Sequence, residues 1–345
     1  MKIVADKNVP FLEGVFEPYA EVVYKNGEDI SRDDLMDADA MIIRTRTKCN
    51  EALLEGTKVR MIATATIGLD HIDLDYCRAK GIEVHNAEGC NAGGVLQYVF
   101  SALYGVAARK AIKLDDFTMG IVGVGHVGSL VEKMARYLGF KVLLCDPPRA
   151  AAEGDEKFCS LEYLLENSQI VTLHVPLDET TRKMADANFF AMMPTGSIFI
   201  NASRGEVVDE EALMLTLPKF GAVVIDTWNN EPDVNEELVE MVDIATPHIA
   251  GYSYQGKLNG TAASVQAVAR HFGIESLYDF YPHEEGDEDR SPVLLDLKGK
   301  KQGEVAAVFQ YNYPIYTDDF RFRMEPQNFE KMRSNYQYRR EIYVE

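Results

Sequence analysis

Three residues in this chain have side chains that together could hold an acid and move a proton. They are Arg204 in the stretch NASRG (201–205), Glu231 in NEP (230–232) and His248 in PHIAG (247–251). Each lies in or beside a turn-prone stretch that follows an apolar run. Imidazole is the side chain that ordinarily titrates near neutrality. His248 could therefore accept a hydroxyl proton while hydride leaves the same carbon. Glu231, 17 residues earlier, could bond the far ring nitrogen, fix the tautomer and stabilise the imidazolium that forms. Arg204 offers a planar fork of donors suited to a carboxylate or a developing carbonyl oxygen. Taken one at a time, each has an ordinary structural reading. Together they gain weight because all three recur at the ends of apolar segments, and ligands of open parallel sheets bind beyond the carboxyl ends of the strands.

Those apolar segments imply the elements that must position the three residues. Short β-rich runs at Lys2–Ala5, Glu21–Tyr24, Ala40–Arg44, Met61–Ala65 and Glu83–His85 alternate with helical stretches at Asp33–Asp37, Glu51–Leu54 and Asp73–Lys80. This alternation predicts a parallel sheet with helical crossovers. A long helix is expected over Ala92–Arg109, with Asn91 as its cap. A second α/β run has strands at Met119–Val122, Lys141–Cys145, Ile170–His174, Ser197–Asn201, Val223–Asp226 and Ile244–Thr246. A helix at Thr261–Phe272 follows. Beyond Gly273 the pattern changes to an acidic loop at 282–290, strands at Val293–Leu297 and Glu304–Tyr311, and a helix at Pro326–Tyr338. About 70 residues of α+β character make a small core, expected to pack on the main body or on a second copy of the chain.

A cofactor is signalled upstream. Gly123, Gly125 and Gly128 form G-x-G-x-x-G, with His126 and Val127 between the second and third glycines. An apolar strand precedes the motif and a helical stretch follows it. In that setting the first glycine allows a tight turn, the second admits a pyrophosphate and the third allows close helix–strand packing. The helix N-terminus adds amide donors and a favourable dipole. Asp146 ends the next strand, 18 residues after Gly128, about where an acid binding a ribose 2′-hydroxyl belongs. That carboxylate favours NAD over its 2′-phosphorylated form, although Arg149 stands nearby.

Composition narrows the partners. The chain has 345 residues, 46% hydrophobic and 26% charged, with 35 basic against 55 acidic residues and a net charge of −20. A polyanion repels nucleic acid and anionic membranes, so neither is expected as a partner. An anionic substrate would need a local cationic site. Arg44 and Arg46 bracket Thr45 at a strand end, with Lys48 beyond, and are the best local answer; a solvated charged loop is the plainer one. The segment after Thr66 offers amides suited to a carboxylate, and Lys257 is a weaker phosphate candidate. Five cysteines at 49, 77, 90, 145 and 159 show no metal-ligand spacing and suggest reduced thiols in a cytoplasmic protein. No bound metal is expected. No apolar run is long enough to span a bilayer, and the N-terminus reads as a strand rather than a signal peptide.

The order of G-x-G-x-x-G (123–128), NASRG (201–205), Asp226 with Thr227 and Trp228, NEP (230–232) and PHIAG (247–251) resembles the D-isomer-specific 2-hydroxyacid dehydrogenases. The resemblance implies an NAD-dependent oxidoreductase with catalytic Arg204, Glu231 and His248. It also implies two Rossmann-like doubly wound parallel-sheet lobes, one of them discontinuous. Residues 1–93 with 252–272 would bind substrate and 94–251 would bind NAD. A narrower resemblance is carried by Asp6–Pro10, Ala63–His71, Gly89–Ala92, Leu144–Arg149, His248–Tyr252 and Met332–Glu341. It points to a branch that oxidises the phosphorylated four-carbon acid 4-phospho-D-erythronate in pyridoxal 5′-phosphate biosynthesis. That branch implies a small α+β dimerisation domain at 273–345 and a homodimer. It places Thr45, Thr66 and Tyr252 at the substrate and Val175, Ala202, Ser203, Asp226 and Gly251 at the cofactor. Two other readings stay open: a related dehydrogenase of the 3-phosphoglycerate or glyoxylate/hydroxypyruvate type, and a non-catalytic NAD-sensing protein like the family's corepressors.

Overall fold

The computed structural model describes residues 1–282 and 290–344. Most of the acidic loop expected at 282–290 therefore lies outside the described residues. The chain forms two compact units, Met1–Asn91 with Ser253–Arg290, and Ala92–Tyr252 with Ser291–Glu345.

The first unit is built on five parallel strands: β1 (Lys2–Asp6), β2 (Glu21–Lys25), β3 (Ala40–Ile43), β4 (Met61–Thr64) and β5 (Glu83–Asn86), in the order β2-β1-β3-β4-β5. The inner strands are buried on both faces, as continuous apolar runs such as AMII (40–43) and MIAT (61–64) demand. One face packs Ile3, Ala5, Ile42 and Ala63 against Val265, Val268 and Ala269 of helix Tyr254–Phe272. The other packs Val4, Met41, Ile43 and Ile62 against Leu35, Leu54 and Cys77. The helix expected from Thr261 begins at Tyr254 instead. Ser253 caps it, its Oγ accepting from Gly256 N at 2.9 Å. Its early turns contain Gly256, Asn259 and Gly260, weak helix formers that hide its start.

The second unit holds six parallel strands: β6 (Thr118–Val122), β7 (Lys141–Cys145), β8 (Ile170–Leu173), β9 (Ile198–Asn201), β10 (Ala222–Ile225) and β11 (Ile244–Ala245). Their order is β11-β10-β9-β8-β6-β7. Chain progression reverses direction at β6, so the crevice at the carboxyl ends of β6 and β8 is the topological switch point where such sheets take ligands. Helix Ala92–Arg109 matches its expected span and is buried over most of its length. Asn91 does not cap it as expected: its Oδ1 is buried and makes no hydrogen bond among the described residues.

The C-terminal stretch departs most from expectation. Glu304–Tyr311, expected as a strand, is part of helix Gln302–Asn312. Val305, Ala306 and Phe309 are its buried residues, a helical rather than alternating spacing. Phe309 stacks on Phe100 and Tyr104 of helix Ala92–Arg109 at 6.1 and 5.5 Å. Only Val293–Leu294 of the other expected strand pairs, forming β12 alongside β13 (Ile342–Tyr343) in a two-stranded parallel sheet. Helix Ile315–Met324 was not anticipated. The expected helix at Pro326–Tyr338 is a short turn followed by Phe329–Ser334. Within 273–345, the described residues up to 282 group with the first unit and those from Ser291 with the second.

Candidate active site

Every residue expected to do chemistry or bind cofactor in the second unit lies at or just beyond the carboxyl end of one of its strands. The glycine motif follows β6, Asp146 directly follows β7 and Val175 follows β8. Ala202, Ser203 and Arg204 follow β9, Asp226 to Glu231 follow β10, and His248 and Gly251 follow β11. The parallel sheet alone therefore gathers them along one edge.

The cofactor cradle fits a dinucleotide. Gly123 has φ +84°, and a Cβ there would come within 2.6 Å of the His174 carbonyl oxygen. At Gly128 a Cβ would meet the Gly123 carbonyl oxygen at 2.1 Å. At Gly125 nothing lies within 4 Å, which leaves room for a pyrophosphate against the backbone. Gly125 is also the N-cap of helix His126–Tyr137 and supplies no side-chain cap, so the first-turn amides suit an anion. Asp146 has two structural duties. Its Oδ2 accepts from Val124 N at 2.7 Å and its Oδ1 from Arg149 N at 3.0 Å, tying the glycine loop to helix Pro147–Glu153. A carboxylate keeps further acceptor sites for a ribose hydroxyl. Arg149 is committed to Glu153 and to the Val124 carbonyl, at 2.6 Å each.

Glu231 and His248 meet directly. Glu231 Oε2 lies 2.7 Å from His248 Nδ1, and Glu231 Oε1 accepts from Trp228 N at 2.9 Å. Burial pushes the Glu231 carboxyl up, but His248, the Trp228 amide and Arg333 outweigh it and hold the group below its usual value. An ionised carboxylate only accepts, so Nδ1 donates to Glu231, and in the neutral imidazole this leaves Nε2 as the acceptor. Trp228, the chain's single tryptophan, is 1% exposed. Its indole donates to the Thr246 carbonyl at 2.9 Å, anchoring the Glu231 turn to the end of β11.

His248 adopts φ +54°, the left-handed region that costs a branched or bulky residue. Strain of about 1–3 kcal/mol at such a residue persists only where neighbours over-determine it. Here they do. His248 N donates to the Asp226 carbonyl at 2.7 Å. The Asp226 carboxylate, fully buried, accepts from Thr246 Oγ1 at 2.6 Å and from the amides of Ile249 and Ala250 at 2.9 Å each. Burial raises the Asp226 carboxyl despite these donors. Expected only beside the cofactor, Asp226 is first of all the post that holds the histidine loop. Sequence reading also missed Thr246 and Tyr98, whose hydroxyls lie 2.7 Å apart; nothing in their local pattern distinguishes them from core residues.

Arg204 follows a closed turn. Buried Asn201 accepts from Ser203 N and Oγ at 3.1 and 2.7 Å, and its Nδ2 donates to the Arg204 carbonyl at 3.0 Å. The Ser203 side chain is thus turned inward, and Arg204 Nη1 donates to the Ser203 carbonyl at 2.9 Å. Tyr252 closes the histidine loop, donating from its backbone to Ile249 at 2.7 Å, with the rings of Tyr336 and Tyr338 about its own at 5.9 and 6.0 Å.

In the first unit, Thr45 and Thr66 follow the carboxyl ends of neighbouring strands β3 and β4. Thr66 Oγ1 pairs with Thr64 Oγ1 at 2.7 Å. Arg44 donates to the Asn8 carbonyl at 3.1 Å, and exposed Arg46 pairs with Glu28 at 3.6 Å. Among the described residues no cluster of metal-ligating side chains occurs, and no helix is long and apolar enough to cross a membrane.

Comparison with known proteins settles the family. Residues 104–250 match the D-isomer specific 2-hydroxyacid dehydrogenase, NAD binding domain. The chain is 44% identical over 348 residues to the erythronate-4-phosphate dehydrogenase of Bacteroides thetaiotaomicron, covering 99% of this chain and 97% of the relative. It belongs to the D-isomer-specific 2-hydroxyacid dehydrogenases. The Porphyromonas gingivalis erythronate-4-phosphate dehydrogenase is 39% identical, with 99% of this chain and 94% of that one covered. Among solved structures, the NAD+-bound 3-phosphoglycerate dehydrogenase of Entamoeba histolytica superposes with a TM-score of 0.67 at 29% identity, over 81% of this chain and 97% of that one. The NAD-bound formate dehydrogenase of Staphylococcus aureus, at 22% identity and a TM-score of 0.64 over 83% of this chain and 98% of its own, shares the fold.

Proposed function

We propose that the protein oxidises 4-phospho-D-erythronate to 2-oxo-3-hydroxy-4-phosphobutanoate with NAD, in the synthesis of pyridoxal 5′-phosphate. The carrying observation is the Glu231–His248 contact at 2.7 Å at the edge of a dinucleotide cradle, in a chain matched end to end by erythronate-4-phosphate dehydrogenases. His248 Nε2 takes the C2 hydroxyl proton. Glu231 holds the imidazole by Nδ1 and stabilises the imidazolium. Arg204 receives the carboxylate and orients the reacting carbon. NAD, when bound, supplies the hydride acceptor. Gly123, Gly125, His126, Val127 and Gly128 would hold its pyrophosphate, Asp146 its ribose, and Val175, Ala202, Ser203, Asp226 and Gly251 its nicotinamide half.

The second unit is the NAD lobe on this reading and the first the substrate lobe. Thr45, Thr66 and Tyr252 contact substrate, and Arg44 and Arg46 supply positive field against the net −20. The enzyme works as a cytoplasmic homodimer joined through its C-terminal region. The test is steady-state turnover of 4-phospho-D-erythronate, 3-phosphoglycerate and glyoxylate or hydroxypyruvate side by side. A decisive preference for the first is expected. Faster turnover of another assigns a different substrate, and NADH binding without any turnover assigns a sensor.

A further inference from the structure

Arg333 belongs to the C-terminal helix Phe329–Ser334, well past the end of the NAD-domain match at 250. Its surroundings nevertheless belong to the active site. Its guanidinium carbon stands 5.7 Å from the centre of the Tyr252 ring and 5.5 Å from that of Phe329. Nη1 donates to Glu330 at 3.1 Å. The side chain is 16% exposed, and its Nε is buried without a hydrogen-bond partner among the described residues. Burial works against the charge. Tyr252, Glu231, Glu330 and Asp226 outweigh it, so the guanidinium stays firmly protonated. Arg333 and the Glu231 carboxylate thus favour each other's charge, and the cation lies over the ring of the tyrosine that closes the histidine loop.

The guanidinium is partly covered, and its buried donor Nε has no partner among the described residues, which calls for an explanation. The simplest is an anion that completes it. The substrate of the proposed reaction carries two anionic ends, and Arg204 accounts for the carboxylate beside the reacting carbon. The phosphate needs its own planar fork, for which arginine is the suited side chain. Arg44 and Arg46 hold the Asn8 carbonyl and Glu28 by one group each and add a diffuse positive field.

We infer that Arg333 receives the phosphate of the substrate and so determines specificity for a phosphorylated acid. The C-terminal region then carries part of substrate recognition. This rests on the reaction proposed above.

The test compares wild type, Arg333→Met and Arg333→Lys on 4-phospho-D-erythronate and on unphosphorylated D-erythronate, with inorganic phosphate as competitive inhibitor and NADH binding as the check of folding. Loss of a charged hydrogen-bond partner predicts about a 10- to 150-fold drop in kcat/KM on the phosphorylated substrate for Arg333→Met, mostly through KM. D-erythronate turnover should fall by clearly less than turnover of the phosphorylated substrate, phosphate inhibition should weaken in parallel, and Arg333→Lys should fall between. Equal losses on both substrates would make Arg333 a positioning residue for Glu231 and overturn the inference, as would unaltered kinetics on the phosphorylated substrate. If Arg333→Met fails to bind NADH, Arg333→Lys decides: unchanged discrimination and phosphate inhibition overturn it. Wild-type protein inactive on 4-phospho-D-erythronate defeats the proposed reaction itself. Active wild type with an unaltered Arg333→Met defeats this inference alone.

Discussion

Replacing Glu231 by glutamine removes one oxygen and its charge, and the hydrogen-bond pattern around it sets the consequence. Glu231 Oε1 accepts from Trp228 N at 2.9 Å and Oε2 from His248 Nδ1 at 2.7 Å. Glutamine has a single oxygen to offer. With that oxygen on Trp228, the amide NH2 faces Nδ1. The ring proton then moves to Nε2, the atom that must accept from the substrate. With the amide flipped, two donors face each other at Trp228, at about 1–3 kcal/mol for a buried donor left unmade. Losing the charge that steadies the imidazolium costs about 1.5–3 kcal/mol more. The sum corresponds to a fall in kcat of about 10²–10⁴. Alanine also loses the charge and leaves the Trp228 amide unmade, but it imposes no tautomer on the ring, so Glu231→Ala should be the less impaired of the two variants. NADH formation under saturating NAD and substrate measures both. A Glu231→Gln variant within a few-fold of wild type, or more active than Glu231→Ala, refutes the tautomer argument.

Gly128→Ala places a Cβ 2.1 Å from the Gly123 carbonyl oxygen. Overpacking there should weaken NADH binding by about tenfold or more, and fluorescence titration showing normal affinity would contradict the packing. Burial holds the imidazole of His71 down to about 4, from its usual 6.5. Above pH 6.5 both folded and unfolded chains carry it neutral. Between about 6.5 and 4 only the unfolded chain takes up the proton, so stability falls as pH falls. His71→Gln should flatten that loss in Tm across this window, and an unchanged slope would show that His71 does not contribute.

The placement of the candidate site residues was legible because a parallel sheet sets strand-end residues on one edge whatever the details between them. Apolar runs such as IFIN (198–201) and AVVI (222–225) marked those ends within a residue or two. Contacts between distant segments were not legible. The Asp226–Thr246–Tyr98 chain joins residues up to 148 positions apart through buried hydroxyls that look like any core residue. Arg333 stood inside a segment singled out for assembly, and only the fold brings it to Tyr252. Val305 and Phe309 suggested a strand by composition, yet packing on helix Ala92–Arg109 selected the helix.

On the proposed mechanism His248, oriented by Glu231, accepts the proton in oxidation of a phosphorylated 2-hydroxy acid. The most direct measurement is NADH formation from 4-phospho-D-erythronate by wild type and His248→Ala, with NADH affinity determined for both. Active wild type, a variant slower by about 10²–10⁴ and equal NADH affinity are expected. Unchanged turnover in the variant, or a wild type that binds NADH and leaves the substrate untouched, would contradict it.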